Sequence, residues 1–252
     1  MQVAVVTGAS SGIGAAAARE LARRGWSCVL LGRREDRLRA LAEEVRGEYE
    51  LCDISDRGAV DAVAARVRER HPRITLLMNS AGIPGRSGFL DADPERIEAV
   101  MRTNYFGSVW CLRAFLPALE EAAPSHVVNV VSVAGTVAFP PSGPYSASKH
   151  AQLAFSRATS AALRGRGISV HTVNPGFVET EGFPQRSVLR NVVLRRAVIE
   201  PEDIARHVVD LLDGGPSESV IPRWYRIGGI VQALAPTLLA RVLARGGIGY
   251  RS

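Results

Sequence analysis

The amino-acid sequence predicts an α/β fold, a doubly wound parallel sheet of about seven strands with helices on both faces. Short segments rich in Val, Ile and Leu alternate with longer amphipathic segments along most of the chain. Strands that are almost continuously apolar are typical of a parallel sheet that is buried on both faces. Alternating strands and helices imply right-handed crossovers, which place helices on both sides of such a sheet.

The strand and helix segments follow one another in pairs. The first strand, QVAVVTG, is a β-branched run, and the first helix, GAAAARELARRG, is rich in alanine and closed by Gly25. The later segments are SCVLLG and REDRLRALAEEVRG, YELCDIS and RGAVDAVAARVRERH, ITLLMNSAG and DPERIEAVMRTNYFGSVWCLRAFLPALEEA, HVVNVVSVAG and YSASKHAQLAFSRATSAALRGRG, and ISVHTVNPG. Because no linker or low-complexity stretch divides them, we expect one domain over residues 1–252, with an atypical apolar and basic tail over about residues 222–252.

The composition favours a globular protein of the cytoplasm. Hydrophobic residues make up 46% and charged residues 22% of the chain, which are ordinary values. The cysteines Cys28, Cys52 and Cys111 lie far apart and without CxxC spacing, which argues against a disulfide framework or a zinc site and fits a reducing compartment. The five histidines show no ligand spacing, so no metal is expected. The N-terminal residues have no signal-peptide pattern, and no apolar run is long enough to span a bilayer.

The net charge of +6 raises the question of nucleic-acid or anionic membrane partners. The arginines are spread along the chain, and many lie beside Glu and Asp on predicted helix faces. No basic and aromatic stripe or recognisable nucleic-acid module is present in the sequence. We therefore expect a solvated, arginine-rich surface and no nucleic-acid partner.

The segment TGASSGIG places Gly8, Gly12 and Gly14 between the first predicted strand and the first predicted helix. Glycines at such a junction let the backbone approach a pyrophosphate, and the N–H groups at the start of the helix face its charge. A purely structural turn is the alternative. The position at the first strand–helix junction favours dinucleotide binding and hence a Rossmann-type domain.

The end of the second predicted strand bears on the choice of dinucleotide. An acidic residue there would bind the adenosine ribose hydroxyls of NAD, but this chain has Arg33 and Arg34 after Gly32. Guanidinium groups suit a 2′-phosphate because they hold it through paired, charge-assisted hydrogen bonds. The alternative is that both arginines begin an exposed helix. We expect NADP(H) to be preferred, with NAD(H) as the alternative.

Lys149 is the only lysine in a chain whose other basic residues, apart from histidine, are all arginine. If YSASKHAQLAF is helical, Tyr145 lies one turn before Lys149 on the same face, and Pro144 suits the first turn. A phenol has a pKa near 10, and a nearby cation lowers it toward the working range of an acid–base catalyst. Lysine provides a compact and mobile charge that the planar arginine fork does not replace well.

These motifs together resemble the short-chain dehydrogenase/reductase family, in the branch whose chains are about as long as this one. TGASSGIG is similar to the glycine motif of the family, NSAG (Asn79–Gly82) to the motif after the fourth strand, and YSASK to the YxxxK motif. Ser132 in VVNVVSVAG and Asn104 in RTNYFG stand where the family carries its serine and asparagine, and CDIS and NPGFVET resemble further cofactor segments.

The resemblance implies hydride transfer between nicotinamide C4 and a carbonyl or alcohol carbon of a small molecule. It implies four catalytic residues: Tyr145 as acid and base, Ser132 orienting the substrate oxygen, Lys149 lowering the pKa of Tyr145 and binding ribose hydroxyls, and Asn104 holding a water behind Lys149. The expected cofactor-binding residues are Gly8, Ser10, Ser11, Gly12, Ile13, Gly14, Arg33, Arg34, Asp53, Ile54, Asn79, Ala81, Gly82, Tyr145, Lys149, Pro175, Gly176, Val178 and Thr180.

Two alternatives to this NADP(H)-dependent enzyme remain. One is an NAD(H)-dependent alcohol dehydrogenase of the same family. The other is a catalytically silent regulator that binds a dinucleotide. The complete set of Ser132, Tyr145 and Lys149 argues against the silent regulator, because a protein that only binds needs no proton relay.

The substrate end of the predicted site follows the family pattern least. Phe139, Pro140, Phe177 and Phe183 suggest an apolar pocket and a hydrophobic ketone or secondary alcohol, although these residues would equally suit the core. The tail, SVIPRWYRIGGIVQALAPTLLARVLARGGIGYRS, is apolar and flanked by arginines, so contact with a membrane surface is one interpretation. We favour packing against its own domain or a partner subunit in a homodimer or homotetramer.

Overall fold

The computed structural model describes residues 2–85, 87–183 and 198–245. The strands are β1 (Val3–Thr7), β2 (Ser27–Gly32), β3 (Glu48–Leu51), β4 (Leu76–Asn79), β5 (Ser125–Val130), β6 (Ile168–Pro175), β7 (Phe177–Val178), β8 (Val198–Ile199) and β9 (Glu218–Ile221). Seven of them form a wholly parallel sheet in the order β3-β2-β1-β4-β5-β6-β9, and β7 pairs with β8 separately. The predicted fold class is confirmed.

Helices connect the strands on both faces of this sheet. They are α1 (Gly12–Arg23), α2 (Glu35–Val45), α3 (Arg57–Arg70), α4 (Pro94–Met101), α5 (Gly107–Glu121), α6 (Gly143–Leu163), α7 (Pro201–Leu211), α8 (Arg226–Leu234) and α9 (Pro236–Arg245). Local chemistry fixes several starts: the Asp56 carboxylate accepts hydrogen bonds from the N–H groups of Gly58 and Ala59, and proline begins α4, α7 and α9.

A π-helical turn interrupts one segment that the sequence predicts as a continuous helix. This turn covers Arg102–Phe106 and joins α4 to α5. It turns Asn104 into the interior, where the side chain is fully buried and binds the backbone of Ile83 through both its amide atoms. Such bulges are frequent at functional sites because they redirect one side chain without ending the helix.

The hydrophobic core consists of two clusters, one on each face of the sheet. Alternation along β1 shows the division: Ala4 and Val6 belong to one cluster, and Val3 and Val5 to the other. Helices α1, α2 and α7 cover the first face, and helices α3, α5 and α6 cover the second. The central strands β1, β2, β4, β5 and β6 are therefore buried on both sides, as their continuous apolar runs predict, whereas the edge strands β3 and β9 are only partly buried.

The cysteines are divided between these two layers. Cys28 lies in the first cluster, and Cys52 and Cys111 lie in the second. All three are buried free thiols. Burial raises the pKa of Cys28 to about 12 and that of Cys52 to about 11. The thiols are therefore held in their unreactive protonated form.

The C-terminal residues fold back over the carboxyl end of the sheet. After β9, a short 3₁₀ turn (Arg223–Tyr225) leads into α8. A Cβ atom at Gly176 would collide with the ring of Tyr225, so glycine permits this close approach. Farther along, Gly228 and Gly229 lie against Val137 and Thr136. One side of α8 thus packs against its own chain, as we favoured from the sequence.

Candidate active site

A cavity of about 390 Å³ opens beyond the carboxyl ends of β1, β2 and β4. Strands β2 and β4 flank β1 on opposite sides, so the strand order of the sheet reverses at this point. Ligands of doubly wound sheets bind at such a reversal. The predicted cofactor residues that line it are Gly8, Ser10, Ser11, Gly12, Ile13, Arg33, Arg34, Asp53, Ile54, Ala81, Gly82 and Thr180. Segments that are distant in sequence are therefore brought to one cavity.

The glycine loop is shaped by two close approaches. Gly8 has φ +67°, and a Cβ atom there would lie 2.7 Å from the Cα atom of Ala81. A Cβ atom at Gly14 would lie 2.5 Å from the carbonyl oxygen of Gly8. Gly14 therefore serves the packing of α1 against the loop rather than the cavity wall. The first N–H groups of a helix have no acceptor within it, and Gly12 and Ile13 at the start of α1 line the cavity, so these residues fit the pyrophosphate of a dinucleotide.

Thr7 is a positioning residue that the sequence analysis did not single out. It is fully buried, and its hydroxyl oxygen accepts hydrogen bonds from the N–H groups of Ser80 (3.1 Å) and Ala81 (3.2 Å). The hydroxyl itself donates to the carbonyl of Met78 at 3.3 Å. Thr7 thus fastens the NSAG segment to the glycine loop. A polar residue that ends an otherwise apolar strand was the signal in the sequence.

The two arginines after β2 lie at one end of the cavity, in different roles. Arg34 reaches over the glycine loop, and its guanidinium donates to the hydroxyls of Ser10 and Ser11, at 3.0 and 2.6 Å. Arg33 is more exposed and lies 3.6 Å from the carboxylate of Asp53. Both guanidinium groups therefore lie where the adenosine ribose of a dinucleotide would be expected.

Glu181, which also lines the cavity, pairs with arginines at this basic end. Its carboxylate pairs with Arg34 at 3.0 Å and with Arg37, which donates to both carboxylate oxygens. Hydrogen bonds from Arg37 and Arg34 hold the pKa of Glu181 below its usual value. Glu181 was not predicted from the sequence, because nothing in the order of residues places position 181 beside position 34.

The predicted catalytic residues meet beside the cavity. Tyr145 is hydrogen-bonded to Ser132, and the Lys149 ammonium lies 5.7 Å from the centre of the Tyr145 ring. Ser132 follows β5, and its hydroxyl oxygen also accepts a hydrogen bond from the N–H of Ala134. A Cβ atom at Gly82, on the cavity wall, would be 3.8 Å from the nitrogen of Lys149. The polar group therefore borders the cavity at Gly82.

The pKa values in this group differ from the sequence expectation. Burial raises the pKa of Tyr145 to about 12, while the hydrogen bond with Ser132 acts in the opposite direction. Burial lowers the pKa of Lys149 from 10.5 to about 7. The expected lowering of the Tyr145 pKa by Lys149 is thus absent from this arrangement. The reason is that loss of water penalises both charged forms, and the ammonium points at other acceptors rather than at the phenol.

Those acceptors include Gln152, which the sequence analysis did not name. The Lys149 ammonium donates to the carbonyl of Val130 at 3.1 Å and to the Gln152 side-chain oxygen. The Gln152 amide donates to the Ser108 hydroxyl at 2.8 Å, and that hydroxyl donates to the backbone carbonyl of Asn104 at 3.4 Å. A chain of side chains therefore connects Asn104 to Lys149. The signal was helical spacing, since Tyr145, Lys149 and Gln152 share one face of α6.

Asn104 itself uses its side chain to hold neighbouring segments. Its oxygen accepts from the N–H of Ile83 at 2.8 Å, and its amide donates to the Ile83 carbonyl and to the Ser148 hydroxyl, both at 3.0 Å. This links the loop after β4 to α6 behind the catalytic group. The water that the resemblance implies at Asn104 stays a prediction.

Besides Gly14, Tyr145 and Lys149, four more of the expected cofactor residues lie away from the cavity wall. Asn79 is buried in β4 and donates to Asn129 of β5 at 2.9 Å, so it joins two strands. Gly176 lies under the Tyr225 ring, and Val178 is in the core cluster on the first face. Pro175 ends β6 and is buried. Packing of the C-terminal residues explains why the segment Pro175–Val178 does not contribute to this cavity.

The aromatic residues predicted for a substrate pocket separate into two groups. Phe183 lines the cavity, and its ring centre lies 5.4 Å from that of Tyr145. Phe177 instead packs edge-on against Tyr225, and Pro140 is exposed. Phe139 is partly buried beside the start of α6, where its N–H donates to Ser146. The rest of the predicted pocket segment, residues 184–197, lies outside the described residues.

Comparison with known proteins agrees with this geometry. The family model for the short chain dehydrogenase matches residues 2–188. Dehydrogenase/reductase SDR family member 7B of Xenopus laevis is 36% identical over 263 residues, covering 96% of this chain and 80% of that protein. Sulfoacetaldehyde reductase 2 of Chromohalobacter salexigens is 40% identical over 185 residues, covering 71% and 73%. In family member 7B of Danio rerio, which is 35% identical, the matched part spans 62% of that protein's length.

Solved structures show the same fold with either dinucleotide bound. A short-chain dehydrogenase/reductase from Burkholderia phymatum in complex with NAD superposes with a TM-score of 0.83 at 26% identity, covering 94% of each chain. A short-chain dehydrogenase from Burkholderia cenocepacia in complex with NADP gives 0.82 at 31% identity, covering 96% of this chain and 99% of that chain. The chain described here therefore belongs to the short-chain dehydrogenase family of oxidoreductases.

Proposed function

We propose that this protein is an NADP(H)-dependent oxidoreductase that interconverts a carbonyl compound and a secondary alcohol. The observation that carries the proposal is the meeting of Ser132, Tyr145 and Lys149 beside a cavity whose wall includes Arg33 and Arg34. The nicotinamide, when bound, supplies or accepts the hydride. All other roles below belong to side chains of this chain.

Ser132 and Tyr145 act on the substrate oxygen. Both present hydroxyl groups, so they can hold one carbonyl oxygen between them and orient its carbon. In reduction, Tyr145 gives its proton to that oxygen. Its pKa of about 12 keeps the phenol protonated at neutral pH, which suits a general acid in this direction. In oxidation the deprotonated form of Tyr145, a phenolate, accepts the alcohol proton. A charged Lys149 stabilises this phenolate.

Arg33 and Arg34 support a preference for NADP(H) over NAD(H). The end of β2 carries no acidic residue that would bind ribose hydroxyls, since Gly32 is followed directly by the two arginines. Arg34 is already placed over the glycine loop by Ser10 and Ser11. The second candidate is an NAD(H)-dependent alcohol dehydrogenase, which the NAD complex of a structural relative keeps open.

Phe183 supports an apolar substrate, because its ring borders both Tyr145 and the cavity. The similarity to a sulfoacetaldehyde reductase makes small polar aldehydes the competing class. We also infer one domain over residues 1–252, a cytoplasmic location from the unpaired buried cysteines, and assembly as a homodimer or homotetramer.

The test is the loss of absorbance at the reduced-nicotinamide band, with NADPH and NADH run in parallel. The substrate panel contains hydrophobic ketones, quinones, and small polar aldehydes including a sulfonated one. We expect NADPH to be consumed with an apolar carbonyl compound and Tyr145→Phe to abolish turnover while NADPH still binds. Turnover that survives in Tyr145→Phe would contradict the catalytic assignment. Tight NADPH binding without turnover of any substrate would favour a silent regulator.

A further inference from the structure

The C-terminal helices present an apolar surface to solvent. We call it the C-terminal surface and define it by six exposed large side chains: Trp224, Ile227, Ile230, Leu234, Leu238 and Val242. Leu234 is 81% exposed and Ile227 is 63% exposed. The segment lies beyond residue 188, where the match to the family model ends.

The spacing shows that three of these residues, Ile227, Ile230 and Leu234, lie on one face of α8. Arg226, Ile227, Ile230 and Leu234 recur at helical spacing on the exposed side. The opposite side faces the segment that follows Ser132, where the Gln232 oxygen accepts a 3.4 Å hydrogen bond from the N–H of Ala138. A helix at a protein–water boundary normally turns polar residues outward. Here the outward face is apolar, with arginine at one end.

Charge identifies the kind of partner. Residues 219–252 contain no Asp or Glu, whereas their arginines are Arg223, Arg226, Arg241, Arg245 and Arg251. An apolar surface in a segment whose charged residues are all arginine is complementary to anionic lipid headgroups above an acyl layer. In a symmetric contact between two copies, the same arginines would meet with no acidic residue of the segment to offset them.

The shape of the segment favours lying on a membrane over crossing it. In residues 2–85, 87–183 and 198–245, no single helix is long and apolar enough to span a bilayer. The stretch Arg223–Leu234 and the stretch Pro236–Leu243 would suffice only together, and they are bent by 117° at their junction. Trp224 lies in the short turn just before α8, and tryptophan side chains prefer the headgroup level of a membrane.

We propose that the C-terminal surface docks on the surface of an anionic lipid bilayer, with the exposed faces of α8 and α9 in the headgroup region. The apolar side chains enter the upper acyl layer, and the arginines contact lipid phosphates. This docking is independent of the proposed hydride transfer, because none of its residues belongs to the catalytic group. Its tests therefore need no substrate.

Vesicle flotation of the full chain tests the proposal directly. One set of vesicles contains phosphatidylcholine alone, and the other adds phosphatidylglycerol. We expect the protein to float with the anionic vesicles and the tryptophan emission, to which Trp224 contributes, to shift to the blue. Because each arginine near an anionic surface strengthens binding about fivefold, Arg226→Glu with Arg241→Glu should weaken it on the order of 25-fold or more.

The apolar contribution is tested by Ile227→Ser with Leu234→Ser. The matched control is Leu90→Ser, since Leu90 is 99% exposed and lies outside the C-terminal surface. The matched charge control is Arg57→Glu, at the start of α3. We expect both controls to float like the wild type and the Ile227/Leu234 variant to remain in the lipid-free fraction. Circular dichroism of every variant checks that the fold is retained.

Three results would overturn the proposal. One is a wild-type protein that stays in the lipid-free fraction with anionic vesicles. Another is equal flotation of the wild type and the Ile227/Leu234 variant. The third combines two observations: the wild type does not bind vesicles, and light scattering gives the Ile227/Leu234 variant half the particle mass of the wild type. The surface would then be a contact between copies of the chain.

Discussion

The Lys149 ammonium donates a 2.7 Å hydrogen bond to the side-chain oxygen of Gln152, one turn farther along α6. Gln152 is fully buried, and its own amide is held by Ser108. The single lysine of the catalytic group is thus fixed by a neutral partner, and burial lowers its pKa to about 7. Its charge state at neutral pH therefore depends on the group that faces it at position 152.

Replacing Gln152 is expected to move the pH dependence of the reaction. In Gln152→Glu, a carboxylate beside Lys149 favours the charged ammonium, so the decline of kcat/KM with rising pH moves to higher pH. In Gln152→Leu, the ammonium loses an acceptor, so the decline moves to lower pH. The measurement is kcat/KM for carbonyl reduction across a pH series. Equal loss at every pH, with no movement of the midpoint, would mean that Gln152 only supports the fold.

Lys149→Met is expected to abolish activity and to change how stability depends on pH. The pKa of Lys149 is about 7 in the folded chain against 10.5 as the ordinary value, so the unfolded chain binds more protons between these values. The stability of the wild type therefore rises with pH across this window and is lowest at or below about pH 7. Replacement removes this destabilising contribution. The free energy of unfolding, measured in urea, should therefore increase from wild type to variant by more at pH 7 than at pH 10. A pH-independent difference would contradict the shift.

Glu181→Gln is expected to tighten NADPH binding. The Glu181 carboxylate pairs with Arg34 and Arg37, so it competes with a 2′-phosphate for the same guanidinium groups. Removing its charge should lower the Kd for NADPH by about two- to fivefold and leave the Kd for NADH nearly unchanged. Fluorescence titration measures both constants. Arg39→Ala is the control, because Arg39 pairs with Glu35 outside the cavity wall.

Gly8→Ala is expected to prevent dinucleotide binding. The added methyl group would lie 2.7 Å from Ala81, and φ at Gly8 is +67°, so the loop must shift away from the position that receives a pyrophosphate. Gly165→Ala is the matched control, since nothing lies within 4 Å of its added methyl group and its φ carries no strain. Titration with NADPH and thermal unfolding of both variants separate lost binding from lost folding. Normal NADPH affinity in Gly8→Ala would contradict the role of this loop.

The sequence was sufficient to predict the fold class and most of the cavity wall, because these depend on local patterns. Apolar runs set the strands, and TGASSGIG sets the loop at the first junction. The partners of the catalytic and basic groups were harder. Glu181 pairs with Arg34 across the cavity. Ser108, which follows the π-helical turn, accepts a hydrogen bond from Gln152 of α6. Both contacts depend on how separate segments pack, and no spacing along the chain encodes that.

The two-layered core also provides a means of following its own opening. Cys28 lies under α1 on one face, and Cys52 and Cys111 lie on the other. A small alkylating reagent can label them only when the corresponding layer separates, because burial keeps each thiol protonated and covered. Mass spectrometry of partly labelled protein would therefore time the detachment of each helical layer separately. Simultaneous labelling of all three would show that both layers leave the sheet in one cooperative event.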